Sequence, residues 1–263
     1  MTQALTPEQP LIELKIADGK AFRDAMSALA VLVDEPTFLI DENCMRMREM
    51  DPSRVAMVDF EWPKSRFETF ICRASAKISV NIREMLKILK RAGEKESLEI
   101  AVRDVKAHRE LEITIIGKTR RVFTLPTMPP SDEDVPIPKI VFNSSAKMTV
   151  QGFQSAAQDA ELVSDHVRIQ AEPEKVSLHA TGDLMTAHME LLKNSEVVLS
   201  LEAQETQKAT FSLRYLIDIL KAATLVADLV TVEFSSDMPL KLIFHGAPDS
   251  KLDFYLAPRI EQE

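Results

Sequence analysis

The sequence is short of glycine, cysteine and aromatic residues. Of 263 residues, six are glycine and two are cysteine, while Phe, Trp and Tyr together make up 6%. Glycines at Gly19, Gly93, Gly117, Gly152, Gly182 and Gly246 are too dispersed for a phosphate-cradling loop, a dinucleotide fingerprint or a nucleophile elbow. Cys44 and Cys72 are too few for a secreted disulfide framework and too far apart for a zinc knuckle or a redox pair, which predicts two reduced, buried thiols. The histidines, His108, His166, His179, His188 and His245, are scattered, and none has a second ligand at metal-site spacing. Asp41/Glu42 and Asp132/Glu133/Asp134 fall in turns or linker, where solvation explains a carboxylate better than acid–base work. No catalytic residue, metal or cofactor is therefore expected. No apolar run approaches the roughly 20 residues of a membrane span, and the opening Met-Thr-Gln-Ala-Leu-Thr-Pro-Glu lacks a signal-peptide pattern. The expectation is an intracellular protein with no membrane contact.

What the chain does contain is a repeat. Gly19-Lys20-Ala21-Phe22-Arg23-Asp24-Ala25-Met26 begins an amphipathic helix, and Val150-Gln151-Gly152-Phe153-Gln154-Ser155-Ala156-Ala157 begins another. Met85-Leu86-Lys87-Ile88-Leu89-Lys90-Arg91-Ala92 is echoed by Leu216-Ile217-Asp218-Ile219-Leu220-Lys221-Ala222-Ala223. Phe22 to Phe153 and Lys90 to Lys221 are both 131 positions apart. A constant offset indicates two copies of one domain, and 263 residues is enough for two cores.

Between the helices, short apolar or alternating runs predict strands at 98–102, 111–116, 122–125, 167–171, 176–180, 185–192, 197–203, 209–213, 229–234, 240–244 and 252–256. Strands follow one another without alternating βαβ order, so the expected class is α+β: two similar domains, each with antiparallel sheets and two helices on one face. The run from Pro126 to Pro138 is proline-rich with an acidic middle and reads as an extended surface connector. The expected organisation is domain 1–125, connector 126–139 and domain 140–263.

Charge is uneven. Residues 1–126 carry 21 Lys and Arg against 20 Asp and Glu, whereas 127–263 carry 11 against 21, giving the net −9. That total argues against nucleic-acid binding until the cations are placed. On the helix near 82–91, Ile82, Met85, Leu86 and Leu89 share one face, leaving Arg83, Lys87, Lys90 and Arg91 as a basic stripe on the other. The second copy keeps Leu213, Leu216, Ile217 and Leu220 inward, with Arg214, Asp218 and Lys221 outward. Lys20 and Arg23 share the outer face of the first helix, but its repeat has Gln151, Gln154 and Gln158. A lone stripe of this kind is ordinarily a solvated helix face; recurrence at repeated positions weighs against that reading.

Met50-Asp51-Pro52-Ser53-Arg54-Val55-Ala56-Met57-Val58, the helix 86–92, Asp237-Met238-Pro239-Leu240-Lys241-Leu242 and the closing Phe254-Tyr255-Leu256-Ala257-Pro258-Arg259-Ile260-Glu261 resemble the proliferating cell nuclear antigen family of sliding clamps, most of all its archaeal form. Matching blocks run in order from about residue 11 to the C-terminus. The resemblance implies a processivity factor for DNA replication and repair: a ring of three subunits around duplex DNA, helices lining the hole, with a cytoplasmic, nucleoid-associated location if archaeal. Lys20, Arg23, Arg83, Lys87, Lys90, Arg91, Lys147, Arg214 and Lys221 would then face DNA.

The same resemblance implies a partner-peptide pocket built from Met50, Arg54, Val55 and Met57, from Val135, Pro136, Ile137 and Pro138, and from Pro239, Tyr255, Leu256, Ala257 and Pro258. DNA polymerase, the clamp loader, flap endonuclease and DNA ligase would dock there through short peptides. The subunit joint would pair strands near Thr119–Leu125 and Thr186–Leu192, with Arg120, Arg121 and Phe123 on one side and Met185, His188, Met189 and Glu190 on the other. Read as residues alone, the pocket set could equally be core plus a stiff linker, and the strands could be capped within their own chain. A subunit of a heterotrimeric clamp and a clamp-like scaffold not acting on DNA stay open as alternatives.

Overall fold

The computed structural model describes residues 9–105 and 108–259. The N-terminal stretch read above for a signal pattern and the closing Ile260-Glu261 lie outside the described residues. The chain divides into two compact units, one of Met1–Glu49 with Phe60–Asp134 and one of Met50–Asp59 with Val135–Glu263. The division falls within the connector, between Asp134 and Val135. Met50–Asp59 goes with the second unit because backbone pairing takes it there: Ala257 N–H donates to Val55 O at 2.8 Å.

The first unit runs β1 (Ile12–Ile16), α1 (Gly19–Leu29), β2 (Thr37–Ile40), β3 (Cys44–Met50), β4 (Ala56–Pro63), β5 (Thr69–Cys72), β6 (Ala76–Ser79), α2 (Ile82–Leu89), β7 (Ser97–Val105), β8 (His108–Ile116) and β9 (Arg120–Pro126). One sheet has the order β5–β1–β7–β8–β9, and β4–β3–β2–β6 form a second layer. The two helices pack on each other. Their starts are capped by side chains that accept a backbone N–H, Asp18 from Ala21 at 2.9 Å and Asn81 from Glu84 at 3.0 Å. Phe22 meets Trp62 edge-on at 5.5 Å, and Trp62 meets Phe67 at 5.9 Å, so aromatic pairs knit this core.

The second unit runs β10 (Ser144–Thr149), α3 (Val150–Glu161), β11 (His166–Glu172), β12 (Lys175–Thr181), β13 (Thr186–Leu192), β14 (Val198–Ala203), β15 (Gln207–Ser212), α4 (Leu213–Ala223), β16 (Leu229–Phe234), β17 (Leu240–His245) and β18 (Lys251–Leu256). Its sheets have the orders β14–β10–β16–β17–β18 and β13–β12–β11–β15, with the opening of β4 beside β18. Helix α3 packs on α4 and across β10 to β13, while α4 lies against β11, β15 and β18.

The 131-residue repeat is visible in burial. Phe22 and Phe153, Ile82 and Leu213, and Leu89 and Leu220 are all 0% exposed. At the outward positions Arg83 and Arg214, and Lys90 and Lys221, are all exposed. The strands β1 to β6 and β10 were not among the runs read from apolar alternation. For two of them the reason is physical: β4 is buried at nearly every position, and β3 alternates apolar residues with Arg46 and Arg48 but carries no clean two-residue burial period, whereas β1, β2 and β10 do alternate and their signal was passed over. Both cysteines are free, but Cys72 is half-buried rather than buried. Burial still pushes both thiols above their usual range.

Because the repeated positions are equally buried, Phe22→Ala and Phe153→Ala should each destabilise their unit by about 3–5 kcal/mol. Phe22→Ala should sit at the upper end, since it also removes the edge contact with Trp62. Denaturant unfolding of the two variants checks this, and a loss below about 1 kcal/mol at either site contradicts the burial argument.

Candidate functional site

In the first unit, α1 and α2 bring six candidate cations to their outer faces, but not as six free charges. Lys20 Nζ and Arg23 both pair with Asp24 at 3.0 Å, and Asp24 is buried between them. Arg83 Nε lies 2.6 Å from Asp34, and Lys87 Nζ lies 2.5 Å from Glu84. Lys90 and Arg91, at the C-terminal end of α2, are exposed and have no ion pair among the described residues. Cations at that end also oppose the partial negative charge of the helix terminus.

In the second unit, Arg214 and Lys221 project from α4, Asp218 stands between them, and Lys147 lies half-exposed on β10. None of these three cations has an ion-pair partner among the described residues. The outer face of α3 carries Gln151, Gln154 and Gln158 with Asp159 and Glu161, so it offers hydrogen bonds without positive charge.

The expected pocket residues come together within the second unit. Met57, Val135 and Tyr255 form a buried apolar cluster with Met50 packed against it. Of the other expected residues, Ile137 is 44% exposed, Pro136 and Ala257 are exposed, and Pro138, Pro239 and Pro258 are half-buried. Leu256 is fully buried, so it forms floor rather than wall. Lys241 Nζ sits 5.7 Å above the Tyr255 ring and 3.7 Å from Asp253, which places one cation beside the aromatic. Burial raises the Asp253 carboxyl above its usual value, against the opposing pull of Lys241 and Lys251.

One wall of this cluster is the turn between β3 and β4. Arg54 there has φ of 56°, a left-handed conformation that non-glycine residues rarely adopt. Asp51 holds it: the carboxylate accepts from the backbone N–H of Ser53 at 3.0 Å and of Val55 and Ala56 at 2.7 Å. Tyr215 of α4 completes the set by donating its hydroxyl to Asp51 Oδ2 at 2.8 Å.

The expected joint strands are both at sheet ends: β9 is last in β5–β1–β7–β8–β9 and β13 is first in β13–β12–β11–β15. On β9, Arg120 is exposed and Phe123 half-buried, but Arg121 turns back into its own unit, donating to Glu96 and to Arg91 O at 3.1 Å. On β13, Met189 is half-buried and His188 exposed, and Met185 just before it is 57% exposed. Lys175 and then His188 hold the Glu190 carboxyl down to about 2.

Two family models match the chain: proliferating cell nuclear antigen, N-terminal domain, over residues 11–122, and the C-terminal domain of the same family over 136–259. The DNA polymerase sliding clamp of Nitrosopumilus maritimus is 34% identical over 94% of this chain and 98% of its own. The chain belongs to the proliferating cell nuclear antigen family. DNA polymerase sliding clamp 1 of Pyrobaculum aerophilum is 33% identical, again over 94% of this chain and 98% of its own. Among solved structures, the family member from Thermococcus kodakaraensis superposes with a TM-score of 0.87 at 27% identity, covering 94% of this chain and 100% of that one. A PCNA2–PCNA3 complex from Sulfolobus tokodaii gives a TM-score of 0.84 at 26% identity, covering 95% and 100%.

For this family member, sequence reading missed the counter-charges and the Asp51–Tyr215 contact. Lys20 with Asp24 and Glu84 with Lys87 stand at i,i+4 and i,i+3 spacing, so those pairs carried a readable signal. Asp34 with Arg83, and Asp51 with Tyr215, join residues far apart in sequence and carried none.

Proposed function

We propose that this chain is a DNA sliding clamp: three copies close a ring around duplex DNA and tether DNA polymerase and other replication and repair enzymes. The observation that carries the reading is the repeated arrangement within the chain itself, exposed cations at Arg83/Arg214 and Lys90/Lys221 set over matching buried core positions. Such a face neutralises phosphate without reading bases, which suits a ring that must slide. Polymerase, clamp loader, flap endonuclease and DNA ligase dock through short peptides at the Met57–Val135–Tyr255 cluster, with extended backbone of the connector or tail available for pairing. The protein works as a tether and performs no chemistry of its own. A clamp that holds polymerase on DNA resides where the DNA is, inside the cell and on the nucleoid.

The assembly is tested by mass. Light scattering of the purified protein should give about three times 29.6 kDa, and Phe123→Asp or Met189→Asp should lower it, because either change sets a carboxylate into a partly apolar strand contact. A stable monomer for the unmodified chain would instead assign it to a heteromeric ring.

The DNA face is tested by salt. Lys90→Ala with Arg91→Ala should flatten the log–log dependence of DNA binding on salt by about two units, one per lost phosphate contact. Arg83→Ala with Lys87→Ala should flatten it less, since Asp34 and Glu84 already neutralise those side chains. Topology supplies the decisive experiment: loaded protein should stay on closed circular DNA and leave when the circle is cut. Protein that is never trapped on a circle would rule out the clamp reading.

A further inference from the structure

The peptide pocket is held from behind by a helix that contributes no wall to it. Asp51 is buried, and within its turn its carboxylate accepts from the backbone N–H of Ser53, Val55 and Ala56. Asp51 N–H in turn donates to Ala56 O at 2.9 Å, and Arg54 N–H to Asp51 O at 2.9 Å, so the turn closes on itself around one side chain. The strained residue, Arg54, lies at the centre of this closed turn. The turn then passes its order outward, since Val55 O accepts from Ala257 N–H at 2.8 Å and Met57 packs with Tyr255 and Val135. A side-chain donor from another element also reaches it: the Tyr215 hydroxyl, on α4 between exposed Arg214 and buried Leu216.

We infer that Tyr215 is a positioning residue for the peptide pocket: its hydroxyl fixes Asp51, and through Asp51 the 51–56 turn that sets Val55, Met57 and the Ala257 backbone for a docking peptide. The inference rests on the pocket reading given under the proposed function. Burial works to raise the Asp51 carboxyl, but the hydrogen bonds from Ala56, Tyr215, Ser53 and Val55 outweigh it and hold the group below its usual range. Burial, and then the hydrogen bond to Asp51, raise the Tyr215 phenol against an opposing pull from Ser53, so at neutral pH it stays protonated and able to donate. The turn is therefore ordered while Asp51 is ionised and loosens as pH falls through the depressed value.

The test uses a synthetic peptide carrying one glutamine and two aromatic residues, titrated calorimetrically into the full-length protein. Tyr215→Phe, which removes one oxygen and keeps the ring, should weaken binding about five- to tenfold, with native mass unchanged. Asp51→Asn should weaken it further, and the double variant should bind no worse than Asp51→Asn alone, since both act through one contact. The pH profile separates positioning from general destabilisation. Wild-type affinity should stay level as pH falls until below the ordinary carboxylate range of about 4, whereas in Tyr215→Phe the loss should begin at higher pH, because burial remains and one donor is gone. Wild-type affinity in Tyr215→Phe, fully additive effects, or an unshifted pH profile overturns the inference while leaving the pocket standing if Tyr255→Ala still abolishes binding. Unchanged binding by Tyr255→Ala overturns both.

Discussion

Open strand edges are the constraint on which the rest of this structure turns. A strand at the end of a sheet leaves alternate backbone N–H and C=O groups unpaired, and those groups must find water or another strand. Strand β9 ends one sheet of the first unit and β13 ends one sheet of the second. β13 alternates exposed with half-buried side chains, and β9 does so up to buried Leu125, so neither has a fully covered face. In the proposed ring these two unlike edges meet head to tail, each subunit supplying one of each, which is the geometry that closes on itself. In that proposed joint Arg121 and Glu190 would contribute little charge, because Arg121 is bound to Glu96 and Glu190 to Lys175 within their own units, whereas Arg120 stays exposed on β9. Backbone pairing and the apolar side chains of Phe123, Val122 and Met189 are left as the main attraction.

The same economy of free charge marks the helix faces. A net charge of −9 would repel a duplex at long range, and several outward cations are matched by carboxylates at 2.5–3.0 Å. Exposed pairs of this type add little to stability, so their effect is better sought in the field they leave behind. What remains is a small set of cations without an ion pair among the described residues, Lys90, Arg91, Lys147, Arg214 and Lys221, spread over both units. Few and separated phosphate contacts give weak binding that changes little as a ring moves along the backbone. Topology, rather than affinity, then has to supply retention.

The parts of this architecture that were legible in the sequence are those governed by local periodicity. Phe22 and Phe153, or Leu89 and Leu220, announce themselves because helix burial repeats every three to four residues and the whole pattern repeats at 131. The late strands were legible for the analogous reason with a period of two. Strand β4 was not, because it is buried almost throughout and shows no alternation. Residues 50–59 belong with the second unit through a backbone bond from Ala257 to Val55, about two hundred positions away, and no local pattern encodes that. The proposed pocket residues rest on the family resemblance, whereas Asp51 reads as one more turn acid until Tyr215 is seen against it.

The inner face of α3 is set by packing. Helix α3 carries Gly152, Ala156, Ala157 and Ala160 where bulkier residues would hold its neighbours away, and a Cβ on Gly152 would stand 2.5 Å from a Val197 methyl. Small residues let α3 lie close to α4 and across four strands. Glycine in a helix interior costs about 1 kcal/mol against alanine, so close approach must return at least that much. The outer face of the same helix is free of such limits and has settled on neutral Gln151, Gln154 and Gln158. In the second unit, positive charge therefore comes from α4 and β10, through Arg214, Lys221 and Lys147, while α1 and α2 supply it in the first. In the proposed ring a duplex would meet largely ion-paired cations on α1 and α2 of the first unit, with Lys90 and Arg91 beyond them, and cations without an ion pair among the described residues on α4 and β10 of the second.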